Sequence, residues 1–341
     1  MDEKIKISLS KNTLDVLKKD CVDFKIVKEN GQPNMNAFIN TLIVNFYEAF
    51  SASEETLHED IKNALSIVPD YYKEKVFHDV VKVFAKKSEY TNTKKDTTTF
   101  SFKPTKISEK ALLHIQHVLL QSESLSSFYR RMFLSYTQKT KNEREKIIHK
   151  ENFELLQKAI TRRVQVCVQL QSGVVINNLS VYSISPAKDE LFNYVLAYDN
   201  KHNTTMRLAS VKTVTLLSIL SNIPEENKIL FQRQIACAAQ YPMYNTDNEL
   251  IKVQLTEKGK KLFEKIYLYR PTPVSIEGDI YTFNCSANQL LYYFERFGES
   301  ALILSPKKLG IFMRNYYYFA LKKYKTIYKG NSQVPPAEPV A

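Results

Sequence analysis

Apolar and polar residues alternate without a break at positions 4–9, where Ile5, Ile7 and Leu9 interleave with Lys4, Lys6 and Ser8. That is the period of a strand with one buried face. Ser10 then N-caps a predicted helix carrying Leu14, Leu17 and Cys21, and after a polar loop with Gly31 and Pro33, Asn34 caps a second with Met35, Phe38, Ile39, Leu42, Ile43 and Phe46 on one face. Residues 54–87 read as two further helices broken at Pro69, followed by a polar loop over 88–99. Alternation returns in Thr99, Phe100, Ser101, Phe102 and Lys103, ahead of one helix with Leu112, Ile115 and Leu119 and another with Leu125, Phe128, Met132 and Phe133. The order strand, helix, loop, helix thus occurs twice. Either the two halves form an internal pseudo-dimer with their strands paired antiparallel, or 98–138 is an unrelated strand–helix–helix connector.

A helix capped at Asn142, with Glu143 and Glu145 in its first turn as the helix dipole prefers, leads into residues 160–217. This stretch consists of short β-branched and aromatic runs closed by polar turn clusters, in which Val164, Val166 and Val168 alternate with Gln165, Cys167 and Gln169. It predicts a small antiparallel barrel. Residues 224–245 are a helical connector, and 250–330 alternate strand and helix three times, ending in a helix of interleaved aromatic and basic residues that includes Tyr316, Phe319, Tyr324 and Lys322. The resulting α+β multidomain plan comprises 1–50, a helical spacer 51–97, a second βαα unit 98–158, the barrel 159–222, an α+β domain 223–329 and a disordered tail 330–341.

The two βαα units resemble the ribbon-helix-helix module, in which paired strands present a polar face to the DNA major groove. Pro186, Tyr194, Ala197 and Arg207, with Arg162 and Arg163 on the opening strand, resemble the WYL domain, an SH3/Sm-like β-barrel of bacterial ligand- and nucleic-acid-responsive regulators. Asn193 stands where that family has Trp, Val195 where it has Leu, and Ser210 where an arginine commonly follows the last strand. Arg270-Pro271, Phe297-Gly298 and Ser305-Pro306 are similar in order to the extension that follows the barrel. The whole resembles the WYL accessory proteins of type VI-D CRISPR systems. That resemblance implies a non-enzymatic, homodimeric protein that binds single-stranded RNA and stimulates an RNA-guided CRISPR nuclease. The rival reading is a DNA-binding transcriptional regulator whose ribbon takes duplex DNA and whose barrel senses a ligand.

Charge narrows the partners further. With 48 Lys and Arg against 36 Asp and Glu, a net charge of +12 attracts polyanions over its whole surface. The four cysteines lack CxxC spacing, which disfavours zinc and disulfides and fits a reducing cytoplasm. Seven glycines form no GxGxxG or P-loop, no histidine pair has HExxH spacing, and no apolar run spans a bilayer, so neither a cofactor, a catalytic centre nor a membrane is expected. Candidate nucleic-acid contacts are Lys4, Lys6 and Ser8 with Thr99, Ser101 and Lys103 on the ribbon, and Arg162, Arg163, Tyr182, Tyr194 and Arg207 on the barrel, where bases stack on rings and arginines meet phosphates.

Overall fold

The computed structural model describes residues 4–90, 97–120, 124–189, 191–244 and 249–328. The predicted tail 330–341 and half of the predicted loop 88–99 lie outside them, while 88–90 end a helix and 97–99 begin a strand. Strand β1 (Ile5–Ser10) is followed by α1 (Lys11–Asp23), α2 (Met35–Ala64), α3 (Asp70–Tyr90), β2 (Thr97–Phe102), α4 (Lys106–His114), a π-helical turn Ile115–Leu119, and α5 (Leu125–Gln138). β1 and β2 pair antiparallel within the one chain, Ile7 opposite Phe100 and Lys6 opposite Ser101. A two-stranded ribbon cannot bury its own apolar face. Ile7, Leu9 and Phe102 therefore turn onto a shared core with Leu17, Phe38, Leu42 and Phe46 from the first half and Leu112, Phe128, Met132 and Tyr136 from the second. Residues 5–50 and 97–148 share one core, and their strands pair antiparallel within the chain, as the internal pseudo-dimer reading requires.

The helix starts follow side-chain chemistry. Ser10 Oγ accepts from the Thr13 amide at 3.0 Å, Asn34 Oδ1 from Ala37 at 3.1 Å and Ser124 Oγ from Ser127 at 3.2 Å. Two expectations change here. The helices predicted over 35–46 and 54–65 are one helix of 30 residues, because no Gly or Pro interrupts the segment between Asn34 and Pro69. The helix predicted from Asn142 is capped instead by Thr140 in a capping box with Glu143, and it breaks at His149 into α6 (Lys141–Ile148) and α7 (Lys150–Arg162).

Strands β3 (Val164–Leu170), β4 (Val175–Pro186), β5 (Asn193–Tyr198), β6 (Asn203–Arg207) and β7 (Val211–Leu220) form an antiparallel sheet in the order β6-β5-β4-β3-β7. The predicted barrel is not closed. A 3-10 turn, Leu208–Ser210, carries the chain from the short β6 to β7 with no ladder between those edges. α7 packs on the sheet instead, its Leu156 and Ala159 buried among Val166, Val168, Val195 and Val214.

After α8 (Glu225–Cys237), the last domain has a second antiparallel sheet in the order β11-β8-β10-β9, from β8 (Ile251–Leu255), β9 (Pro273–Glu277), β10 (Ile280–Phe283) and β11 (Ala301–Ser305). β9 was missed by sequence reading; Gly278, at φ 62°, makes the turn that pairs it with β10. α9 (Glu257–Lys265), α10 (Ala287–Phe294) and α11 (Lys307–Tyr328) complete it. α11 rests on the domain through Met313, Leu309 and Tyr317, while Phe312, Tyr316, Phe319 and Tyr324 face solvent. Among the described residues, no helix is long and apolar enough to cross a membrane.

Candidate nucleic-acid interface and the joint behind it

The outward face of the ribbon carries the six residues that period-2 reading assigns to it: Lys4, Lys6, Ser8, Thr99, Ser101 and Lys103 are all exposed. Lys6 lies directly opposite Ser101, and Ser8 opposite Thr99, so cations and hydroxyls form one strip. A two-stranded ribbon of this width enters the major groove of B-form DNA. Its shape is held from behind. The Lys103 amide donates to Asn36 Oδ1 at 2.8 Å, and the Lys103 carbonyl accepts from Asn40 Nδ2 at 3.0 Å. Asn40, buried in α2, also accepts from the Thr105 amide at 3.1 Å and from the Ser108 hydroxyl. At the middle of the ribbon, Arg130 Nε of α5 donates to the Ser8 carbonyl at 3.2 Å. Sequence reading missed Asn36 and Asn40; the available signal was an asparagine beside Ile39 and Leu42 in an otherwise apolar helix face.

On the second domain the candidates separate. Arg162 and Arg163 are exposed, but they end α7 rather than open the strand, and Arg163 takes the left-handed conformation, at φ 53°, that terminates the helix. Tyr182 stacks on Phe231 of α8, with ring centroids 5.0 Å apart and planes 19° from parallel, so that face of its ring is covered by the protein's own helix. Tyr194 lies directly opposite Arg207 across β5 and β6. It is half-buried, and that burial raises the pKa of its hydroxyl.

Arg207 does point away from the sheet's core, as alternation requires, but into the seam with the ribbon module. Its Nη2 donates to the Asp23 carbonyl at the end of α1, its Nε reaches Glu145 Oε1 at 3.3 Å, and its guanidinium carbon lies 3.2 Å from the centroid of the Phe192 ring. Glu145, read from sequence as a first-turn acid placed there by the helix dipole, is fully buried. Its Oε2 accepts from the Asn193 amide at 2.5 Å and from Asn193 Nδ2 at 2.9 Å, and its Oε1 also accepts from the Ala209 amide at 3.1 Å. Burial pushes the carboxyl pKa up, opposed by the bonds from Asn193 and the positive charge of Arg207. Lys25 Nζ of the ribbon module donates to Ser210 Oγ at 2.9 Å. The departures Asn193 and Ser210 are thus both engaged in joining the two modules.

Within the ribbon module, next to this seam, Asp20 is buried under Arg144 Nε at 2.6 Å and the Tyr136 hydroxyl at 3.1 Å. His149 donates from Nε2 to the Phe24 carbonyl at 3.0 Å, and burial lowers its pKa to about 4. The helix of α1, a helix near residue 142 and the β-rich stretch were all legible in the sequence; the convergence of the sheet's donors on Glu145 was not.

No family model matches the sequence, and no curated protein matches it. Among solved structures, that of a CRISPR Cas-related protein aligns over 96% of this chain and 95% of its own, with a TM-score of 0.67 at 19% identity. That is a likeness of fold along nearly the whole length. The proteasome accessory factor B/C of Arthrobacter aurescens aligns over 66% of this chain and 39% of its own, at 15% identity and a TM-score of 0.23, too low to bear on the fold.

Proposed function

We propose that this protein is a non-enzymatic, nucleic-acid-binding accessory protein of an RNA-guided CRISPR nuclease, which it stimulates, and that its ligand is single-stranded RNA. The observation that carries the reading is the exposed strip of Lys4, Lys6, Ser8, Thr99, Ser101 and Lys103, closed within one chain and backed by a net charge of +12. The fold likeness to a CRISPR Cas-related protein supports the setting. The two strands, IKISLS and TTTFSF, differ in sequence, so one chain lacks the two-fold symmetry with which a ribbon pair matches a palindromic operator. The exposed aromatic side of α11 supports a homodimer.

The second reading is a duplex-DNA regulator, favoured by the groove-fitting shape of the ribbon. Binding of the full chain to single-stranded RNA, single-stranded DNA and duplex DNA of equal length, at several salt concentrations, separates the two. Preference for single-stranded RNA is expected, and a strong preference for one duplex sequence would replace the first reading by the second. Lys4→Ala with Lys6→Ala should lower the salt slope for single-stranded RNA by about 1.4, about 0.7 for the phosphate contact of each lysine. An unchanged slope removes the ribbon from the interface. For the partner, the rate of RNA cleavage by the nuclease with and without this protein is the direct measurement.

A further inference from the structure

Behind the ribbon, four donors converge on one carboxylate. Every donor belongs to the sheet domain: the backbone amides of Asn193 and Ala209, the Asn193 side-chain amide and Arg207 Nε. The acceptor, Glu145, comes from α6 of the preceding module. A simple ion pair needs one cation, whereas three of these four donors are uncharged N–H groups shared between the two oxygens. Asn193 is held by pairing with Pro186, and Arg207 by pairing with Tyr194 and by the Phe192 ring against its guanidinium. Fixed amides plus a braced arginine are the donor set with which proteins bind small carboxylates and other oxyanions.

We infer that the sheet domain contains an oxyanion-binding site, of a size for a small carboxylate, that Glu145 fills in cis. The full burial of Glu145 leaves a diffusing anion no access to the donors without displacing that side chain. Because Arg207 also donates to the Asp23 carbonyl, filling the site locks the sheet domain to the ribbon module. The domain then acts as a joint that carries its own ligand rather than as a sensor of a free one.

Glu145→Ala leaves the donors facing a space that formate or acetate can enter. The experiment is thermal unfolding of the full chain as wild type, Glu145→Ala and Glu145→Gln, in formate or acetate against chloride at equal ionic strength. Glu145→Ala should melt well below wild type in chloride and regain about half of that loss, saturably, in formate or acetate. Wild type and Glu145→Gln, whose site is filled, should show no carboxylate-specific shift. If Glu145→Ala does not fold in chloride, the readout becomes the yield of refolded protein, expected in formate and not in chloride. Equal behaviour of Glu145→Ala in the two salts overturns the inference. A carboxylate-specific rise in wild type overturns it too, since the donors would then be open. Neither readout involves nucleic acid, so the result is independent of the proposed function.

Discussion

The imidazole of His149 donates to the carbonyl oxygen of Phe24 across 3.0 Å, tying the break between α6 and α7 to the residue that ends α1. A carbonyl can only accept, so the ring nitrogen must carry the proton. The folded protein keeps this buried ring neutral down to about pH 4, whereas an unfolded histidine protonates near pH 6.5. As the pH falls through that window, the unfolded chain takes up a proton that the folded chain does not. The stabilisation is complete above 6.5 and lost toward 4.

At 1.36 kcal/mol per pKa unit, the loss is about 3 kcal/mol. Burial supplies most of that shift and the positive charge on Arg207 a smaller part of it, while the raised carboxyl of Glu145 works in the opposite sense. His149→Gln keeps an amide donor toward Phe24 and removes the titration. Denaturant unfolding between pH 7 and 4 should therefore show a flatter loss of stability than in wild type. Equal slopes would take the acid lability away from His149.

Arg207→Ala leaves the buried carboxylate of Glu145 without its cation and should cost about 3 kcal/mol or more in unfolding free energy. The guanidinium is already engaged by Glu145, Asp23 and Phe192, so any loss of single-stranded RNA affinity should follow the loss of folded protein. Affinity measured well below the melting temperature of the variant checks this. A drop there, with the fold intact, would return Arg207 to the interface.

Asn40→Ala takes from the Lys103 carbonyl the donor that ties it to α2 and leaves the Thr105 amide and the Ser108 hydroxyl with only each other and the Thr105 carbonyl. Losing these hydrogen bonds costs about 2 kcal/mol or more. Amide hydrogen exchange should quicken most at the end of β2, where Lys103 meets α2. Uniform exchange across the ribbon module would mean that Asn40 does not set the ribbon's shape.

Gly259→Ala places a methyl carbon 2.1 Å from the Ser300 carbonyl oxygen, the same oxygen that accepts from the Thr256 amide. The clash is with backbone, so α9 must move off the end of β11, at a cost of about 1–3 kcal/mol. Limited proteolysis should open the last domain before the ribbon module. Wild-type resistance in the variant would show that the contact relaxes freely.

Legibility followed the range of the interactions. The strands at 4–9 and 99–103 could be read because side-chain direction alternates residue by residue, a local rule. The same rule sent Arg207 outward but could not say what it meets. Glu145 carried the local signature of a helix first turn, and nothing near it in sequence distinguishes solvent from the amides of Asn193 and Ala209. Tyr182 shows the same limit, since Phe231 covers its ring from a helix that follows the whole sheet.

By itself, the sequence determined the alternating ribbon strands, the amphipathic helices, the β-rich middle and a basic surface, each encoded by neighbours within a few residues. Only tertiary structure decided that β2 pairs with β1 in the same chain, that α7 packs on a sheet left open, and that the Asn193 and Ser210 positions serve a joint. Those outcomes depend on burying apolar faces and satisfying polar groups between segments far apart in sequence. A buried carboxylate is tolerated only where distant donors arrive together.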